Sequence, residues 1–123
     1  MPDYLSPEWF QAADALLRAD RDLGERSRGV DLVLEQRVEV GDDTIIWHVR
    51  FADGVVSMTQ GVAADPDVVF VSDLETANGI RSGVVGAQAA FIAGDLRVDG
   101  SINALLQHGD LFASLSDVLG PLR

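Results

Sequence analysis

The chain of 123 residues contains neither cysteine nor lysine. Without cysteine, the chain has no disulfides, thiolate metal ligands or cysteine nucleophile. Its nine positive side chains are all arginines, and arginine cannot be deprotonated to form a Schiff base. Pyridoxal-phosphate chemistry, lysine-dependent aldolases and a phosphate-loop lysine are therefore excluded. A transmembrane run of about eighteen apolar residues and a signal peptide are also lacking, so we expect a soluble, cytoplasmic protein.

Positive charge is scarce relative to negative charge. Twenty carboxylates against nine arginines give a net charge of -11, which repels polyanions and makes nucleic acid an unsuitable partner. A cluster of four to eight basic residues is missing, so we expect no stable membrane association. The length predicts one domain, residues 1–123.

The first half of the chain predicts one helix and three antiparallel strands. A helix begins after the cap Ser6, and hairpins follow at Gly41-Asp42-Asp43 and at Ala52-Asp53-Gly54. The run from Arg18 to Gly29 is polar, with no element assigned to it. The predicted strands cover Asp31–Val40, Thr44–Phe51 and Val55–Gln60.

Each of the first two strands has an apolar face. In the second strand Ile45, Trp47, Val49 and Phe51 share one face. In the first strand Gln36 is out of pattern. Its apolar face contains Leu32, Leu34, Val38 and Val40, and its charged face Glu35, Arg37 and Glu39.

The second half predicts helices separated by short strands. A continuously apolar strand at Asp67–Val71 should lie inside the sheet. Ser72 and Glu75 have the spacing of a capping box, which starts a helix that ends near Gly79 or Gly83. The remaining elements are a helix from about Gly86 to Gly94, a short strand containing Leu96 and Val98, a turn at Gly100, and a helix or broken helix after the cap Ser101, weakened at Gly109 and stopped by Gly120-Pro121.

Together these elements predict an α+β fold, with a mostly antiparallel sheet covered on one side by four or five helices. The order of elements, with the segment Phe91-Ile92-Ala93-Gly94-Asp95-Leu96-Arg97-Val98-Asp99-Gly100, resembles the sterol carrier protein type two (SCP2) family of lipid-binding domains, in its short single-domain bacterial form. The resemblance extends over almost the whole chain and implies five strands with an apolar cavity between sheet and helices.

The resemblance implies a set of cavity-lining residues, although apolar residues at these spacings also form ordinary core. The glycine-rich segment Gly79–Gly86 is the expected hinge for ligand entry. The candidate ligand-binding residues are Trp47, Val49, Phe51, Phe91, Ile92, Leu105, Leu106 and Phe112.

Catalytic and metal sites find little support in the residues. His48 and His108 lack metal-ligand spacing. Ser82 lies in a segment, Gly79-Ile-Arg-Ser-Gly83, that misses the nucleophile-elbow spacing. The acidic pairs Asp42-Asp43 and Asp65 with Asp67 read as turn residues. Arg81 is a candidate for a ligand carboxylate or a surface ion pair. We therefore predict no catalytic residue, no metal site and no cofactor.

Three functions follow for such a chain. The first is non-catalytic binding or transfer of a hydrophobic ligand: a fatty acid, an acyl chain or a sterol-like lipid. The alternative is an accessory protein that presents a hydrophobic intermediate to a partner enzyme or docks on it. An enzyme acting on a hydrophobic substrate fits least well, because cysteine, lysine and paired histidines are missing. The ligand's identity and the oligomeric state stay open.

Overall fold

The structure, a computed structural model, describes residues 3–122. Within these residues the chain forms five strands and six α-helices, and a 3-10 turn follows at Gly120–Leu122. The strands are β1 (Asp31–Val40), β2 (Asp43–Ala52), β3 (Val55–Gln60), β4 (Val68–Asp73) and β5 (Arg97–Gly100). The helices are α1 (Pro7–Ala19), α2 (Arg21–Arg26), α3 (Leu74–Arg81), α4 (Ala87–Ala93), α5 (Ile102–Gln107) and α6 (Gly109–Val118).

The strands form one sheet in the order β3-β2-β1-β4-β5. Three of its neighbouring pairs are antiparallel, and only β1 with β4 is parallel. The predicted α+β fold with a mostly antiparallel five-stranded sheet is therefore confirmed. The parallel pair arises because the chain leaves the edge strand β3 and crosses two strands before it enters the sheet again.

The inner face of the sheet packs against the helices, and it carries the main core. Alternation places Leu34, Val38, Trp47 and Val49 on this face, where all four are buried. Helix α1 also protects the sheet edge, since the carboxylate of Asp14 accepts a hydrogen bond from the backbone N–H of Met58 on β3 at 2.8 Å. An edge strand with a covered N–H offers less to a second chain.

The outer face is crossed by the segment between β3 and β4. Glu35, on the face predicted to be charged, is 0% exposed beneath this segment. Its carboxylate accepts a hydrogen bond from the backbone N–H of Ala63 at 2.9 Å and pairs with the guanidinium of Arg37 at 2.7 Å. The ring nitrogen Nδ1 of His48 lies 3.0 Å from the carbonyl oxygen of Gly61. The crossing segment is thus fixed to the sheet by polar contacts.

Most helix ends and turns were predicted at the correct residues. Ser6 and Ser101 accept hydrogen bonds from backbone N–H groups in the first turns of α1 and α5. Gly94 ends α4 with a left-handed φ of 85°. At Gly100 a glycine is required, because a Cβ there would lie 2.6 Å from the carbonyl oxygen of Asp67.

The predicted capping box at Ser72 was wrong. Strand β4 extends to Asp73, because Ser72 and Asp73 pair in register with β1. Ser72 is therefore a buried strand residue, and α3 is capped instead by Asp73, whose carboxylate accepts from the N–H of Thr76 at 2.8 Å. This backbone N–H and the Thr76 side chain both lower the pKa of Asp73.

The helices are more numerous than the four or five predicted. The polar run after α1 forms α2, whose first turn is capped by Asp20 through a 2.8 Å hydrogen bond to the N–H of Leu23. The last helix is broken between α5 and α6 at His108, next to Gly109, as the weak middle of the pattern indicated.

Candidate functional site

A cavity of about 390 Å³ lies between the inner face of the sheet and the helices. The sheet supplies its floor from β1, β2, β3 and β4, and the helices α3, α4 and α6 with the connection between α3 and α4 supply its roof. This volume falls within the roughly 300–1,000 Å³ of typical small-molecule pockets. The predicted space between sheet and helices is therefore present in this chain.

Apolar and aromatic side chains form most of the cavity wall. The ring of Trp9 contacts that of Tyr4 edge-on with centroids 5.0 Å apart. Phe112 of α6 packs in the same way against Phe70 of β4 with centroids 5.6 Å apart. Such T-shaped contacts fix the rings that form the wall. Leu34, Val38, Met58, Leu96 and Leu115 complete the apolar surface.

Three of the predicted ligand-binding residues line this cavity. Trp47 reaches it from β2, Leu105 from α5 and Phe112 from α6. They are buried and belong to the main core cluster. These three were among the residues that the family resemblance implied for the cavity wall.

Val49, Phe51 and Phe91 are brought near the cavity but do not line it. Val49 and Phe51 are completely buried, and the ring of Phe51 packs against Phe112 at 6.3 Å. They close the core beyond the end of the cavity. Phe91 is half-buried and packs against the edge of the core.

Ile92 and Leu106 are not in the cavity wall at all. Ile92 is 84% exposed and Leu106 is 62% exposed. Their helices are only one to two turns long, so each buries a narrow side. That side is Ala90 in α4, and Ala104 with Leu105 in α5. The family resemblance implied both neighbours of each pair as cavity-lining, although adjacent helical residues point about 100° apart.

Tyr4 and Arg81 form a polar corner of the cavity wall. The guanidinium of Arg81 lies 4.2 Å from the centroid of the Tyr4 ring and donates hydrogen bonds to the side-chain oxygen of Asn78. Burial raises the pKa of Tyr4 to about 12, and the charge of Arg81 lowers it by a smaller amount. Tyr4 is thus an uncharged hydroxyl at neutral pH. Arg81 lines the cavity together with the carboxylates of Asp110 and Asp117.

Unpaired polar groups on the cavity wall were missed by sequence reasoning. The indole N–H groups of Trp9 and Trp47 are buried and have no hydrogen-bond partner among residues 3–122. Gln36 lines the cavity from the middle of β1. The one available signal was its break in the apolar pattern of that strand.

The rejected catalytic candidates remain apart in the structure. His48 lies on the outer face of the sheet, opposite Glu35 in register, whereas His108 lies between α5 and α6 on the inner side. The hydroxyl of Ser82 donates to the carbonyl oxygen of Gly79 at 3.1 Å, as part of the end of α3. The carboxylate of Asp67 accepts from the N–H of Val33 at 2.7 Å, so it joins two distant segments of the chain and does not make the local turn contact that was predicted.

No group of three or more histidine and carboxylate side chains in the described part of the chain is arranged to hold a metal ion. Among the helices within residues 3–122, none combines the length and apolar character needed to cross a bilayer.

The fold and cavity define a class of α+β proteins with a largely apolar internal cavity. Residues 13–113 match the SCP-2 sterol transfer family. The chain belongs to this family, whose members bind and transfer hydrophobic lipids. The resemblance stated from the sequence is thereby confirmed.

Solved structures share the fold at low sequence identity. A crystal structure of sterol carrier protein 2 is 19% identical, with a TM-score of 0.80 over 96% of this chain and 98% of its own. A conserved protein of Thermus thermophilus, suggested to be a sterol carrier protein, is 19% identical, with a TM-score of 0.81 over 98% and 90%. The ubiquinone synthesis protein UbiJ-SCP2 is 21% identical, with a TM-score of 0.60 over 100% and 98%. A search of curated proteins found no match.

Proposed function

We propose that this protein binds a hydrophobic ligand, such as an acyl chain or a sterol-like lipid, in the internal cavity and transfers it without catalysis. The observation that carries the proposal is the cavity of about 390 Å³ with its largely apolar wall. Burial of roughly 300 Å² of ligand surface at about 25 cal/mol per Å² contributes about 7 kcal/mol. Association costs offset part of this. Trp47, Leu105 and Phe112 are the predicted residues that we expect to contact the ligand.

Intrinsic fluorescence tests this binding directly. The chain has two tryptophans, Trp9 and Trp47, and both line the cavity. Titration of delipidated protein with palmitate or a sterol should therefore change the emission of both. The variant Ala77→Phe fills the cavity from α3 and should reduce uptake at least tenfold. Ile92→Phe, a matched change on the exposed side of α4, should leave it unaltered. Unchanged emission with every lipid tried would contradict the proposal.

Ligand entry, we propose, uses the connection between α3 and α4. Gly83, Val85 and Gly86 in this connection line the cavity, and the connection is made of small residues. A Cβ built at Gly79 would lie 3.8 Å from the Cβ of Val85, which is the mean separation in a disulfide. Because the chain has no cysteine, a Gly79→Cys, Val85→Cys double variant would form one defined bridge.

The bridge should lock the connection and slow lipid uptake at least tenfold, and a reductant should restore the rate. The reduced form of the double variant is the control for the oxidised form. Equal uptake rates in the oxidised and reduced forms would show that entry occurs elsewhere.

The second candidate function is an accessory role in which the protein presents its ligand to a partner enzyme. The segments 82–94 and 100–109 contain no Asp, Glu or Arg, in a chain with a net charge of -11. They expose Val84, Ile92 and Leu106, at 81%, 84% and 62%. A neutral, apolar surface beside the cavity favours docking on an apolar patch of another protein. The fold shared with a ubiquinone synthesis protein is in keeping with such a role.

A charged surface variant separates the two candidates. Ile92→Asp with Leu106→Asp should abolish recovery of a stoichiometric partner while lipid binding stays intact. Val62→Asp is the matched control, because Val62 is 64% exposed in the segment on the outer face. Loss of partner recovery with both variants would indicate a nonspecific effect of added charge.

A further inference from the structure

Three neighbouring strands place polar side chains together on the cavity floor. Gln36 of β1 is in register with Trp47 of β2 on one side and with Phe70 of β4 on the other. Ser72 of β4 is in register with Val38, two residues further along β1. Cross-strand neighbours lie about 5 Å apart and diagonal ones about 7–8 Å apart. A ligand group at Gln36 therefore has Trp47 beside it on one neighbouring strand and Ser72 on the other, and all three residues line the cavity.

These polar groups lack partners within the part of the chain that the structure describes. Trp47 is 2% exposed, and its indole N–H makes no hydrogen bond there. Gln36 lies on a central strand and faces the helices, yet it remains partly exposed. Its exposure must therefore be to the cavity. Buried polar groups in native proteins are almost always paired, so a cluster of unpaired ones indicates a polar atom of a ligand.

Gln36 is the group that a ligand would reach first. The indole nitrogen of Trp47 is covered by neighbouring atoms, so a ligand oxygen has to shift the ring slightly before the N–H can donate. The amide of Gln36 already borders the void. Its NH₂ group donates two hydrogen bonds, and the hydroxyl of Ser72 can donate a third.

The two arginines that line the cavity already have partners. Arg37 of β1 pairs through its guanidinium with the buried carboxylate of Glu35. Arg81 is held on the α3 side by Tyr4 and Asn78. A ligand carboxylate bound at Gln36 would lose its hydration and gain no cationic partner, which costs much free energy. An uncharged carbonyl oxygen costs much less to desolvate. Resting on the lipid-binding function proposed above, we propose that this floor is a subsite for an uncharged oxygen acceptor, and that the ligands are neutral lipids with a ketone or ester carbonyl.

Matched probes test this specificity. Hexadecane, the methyl ketone of the same chain length and palmitate are each partitioned between the delipidated protein and methyl-β-cyclodextrin. With one or two hydrogen bonds gained, the ketone should bind about tenfold more tightly than hexadecane. It should also bind more tightly than palmitate at neutral pH.

Gln36→Met should reduce the preference for the ketone over hexadecane to within about twofold. Gln88→Met is the matched control: Gln88 also lines the cavity, but its amide donates to the carbonyl oxygen of Leu105 at 3.3 Å. This variant should keep the preference. If Gln36→Met does not fold, Trp47→Phe removes the second donor and should lower the preference about threefold.

The outcomes distinguish this proposal from the function on which it rests. Equal binding of ketone and hexadecane by the unmodified protein, or tightest binding of palmitate, overturns the subsite and leaves lipid binding intact. An unchanged preference in both Gln36→Met and Trp47→Phe also overturns it. Binding of none of the three probes contradicts lipid binding itself, and the subsite with it.

Discussion

Two adjacent polar residues of β1, Glu35 and Gln36, lie on opposite faces of the sheet and differ in whether their side chains have hydrogen-bond partners. On the outer face, the carboxylate of Glu35 is fully buried and contacts both Arg37 and the N–H of Ala63. On the inner face, Gln36 borders a cavity, and its side-chain amide makes no hydrogen bond within residues 3–122. A buried polar group with all its partners supports the fold. A neighbouring group without partners reduces stability, which is the pattern expected of a binding site.

Removal of the outer-face carboxylate should have the largest effect on stability. Glu35→Leu leaves the N–H of Ala63 without an acceptor and Arg37 without its ion pair, so we expect a loss of about 2–3 kcal/mol of unfolding free energy. The solvent-facing share of the Arg37 contact adds little to this. Urea denaturation provides the measurement.

Two control variants identify the cause of that loss of stability. Glu35→Gln keeps an acceptor for Ala63 and should lose less than Glu35→Leu. Glu39→Leu changes an exposed residue on the same strand and should be nearly neutral. Equal losses at positions 35 and 39 would contradict a structural role for the buried carboxylate.

The burial of Tyr4 in the cavity wall should make the unfolding free energy depend on pH in the alkaline range. Its pKa is raised from 10.0 to about 12, so the unfolded chain loses the phenolic proton before the folded chain does. The resulting stability is fully present below pH 10 and is lost as the pH rises towards 12, by an amount on the order of 2 kcal/mol. With one tyrosine, no lysine and no cysteine in the chain, no other side-chain type titrates in this window.

Urea denaturation at a series of pH values, with phenolate absorbance, measures this effect. Tyr4→Phe should have a flat stability between pH 10 and 12. A slope as steep in the variant as in the unmodified protein would exclude Tyr4 as its source.

A smaller effect of opposite sign is expected on the inner face. Gln36→Met replaces an unpaired amide by an apolar side chain of similar length, and should raise the stability of the delipidated protein by up to about 1 kcal/mol. Thermal unfolding without lipid measures it. Destabilisation by this change would mean that Gln36 supports the fold as Glu35 does.

The smallest effects should occur at the exposed helix positions. Ile92→Ser and Leu106→Ser should each change the unfolding free energy by less than about 0.5 kcal/mol, because neither side chain packs in the core or the cavity. Calorimetry of the two variants suffices. A loss of several kcal/mol would mean that these residues are buried in solution, for example by a partner or a second copy of the chain.

Local signals in the sequence predicted most of the fold. Gly94 and Ser101 ended and began helices where expected, and the Asp-Gly turn has positive φ at both Asp53 and Gly54. These features depend on a few neighbouring residues. The cap at Ser72 failed because pairing with the distant strand β1 extended β4 by two residues.

Site residues were predicted less completely than the fold. The candidates for the cavity wall came from the family resemblance. Trp47 lines the cavity, and strict strand alternation accounts for its place on the inner face. Ile92 and Leu106 lie outside the wall, because the short helices α4 and α5 have too few turns to fix an inward side. Arg81 was singled out, but not its contact with Tyr4, which joins two segments far apart in the chain.

The sequence by itself determined the order of elements and the apolar faces of the strands, because these depend on local periodicity. Its composition also excluded the reactions that need cysteine or lysine. Only the tertiary structure decided that Glu35 is paired while Gln36 is not. Both are polar residues on one strand. They differ in hydrogen bonding because different parts of the molecule lie over the two faces of the sheet. The segment that carries Ala63 covers Glu35, whereas the cavity lies over Gln36.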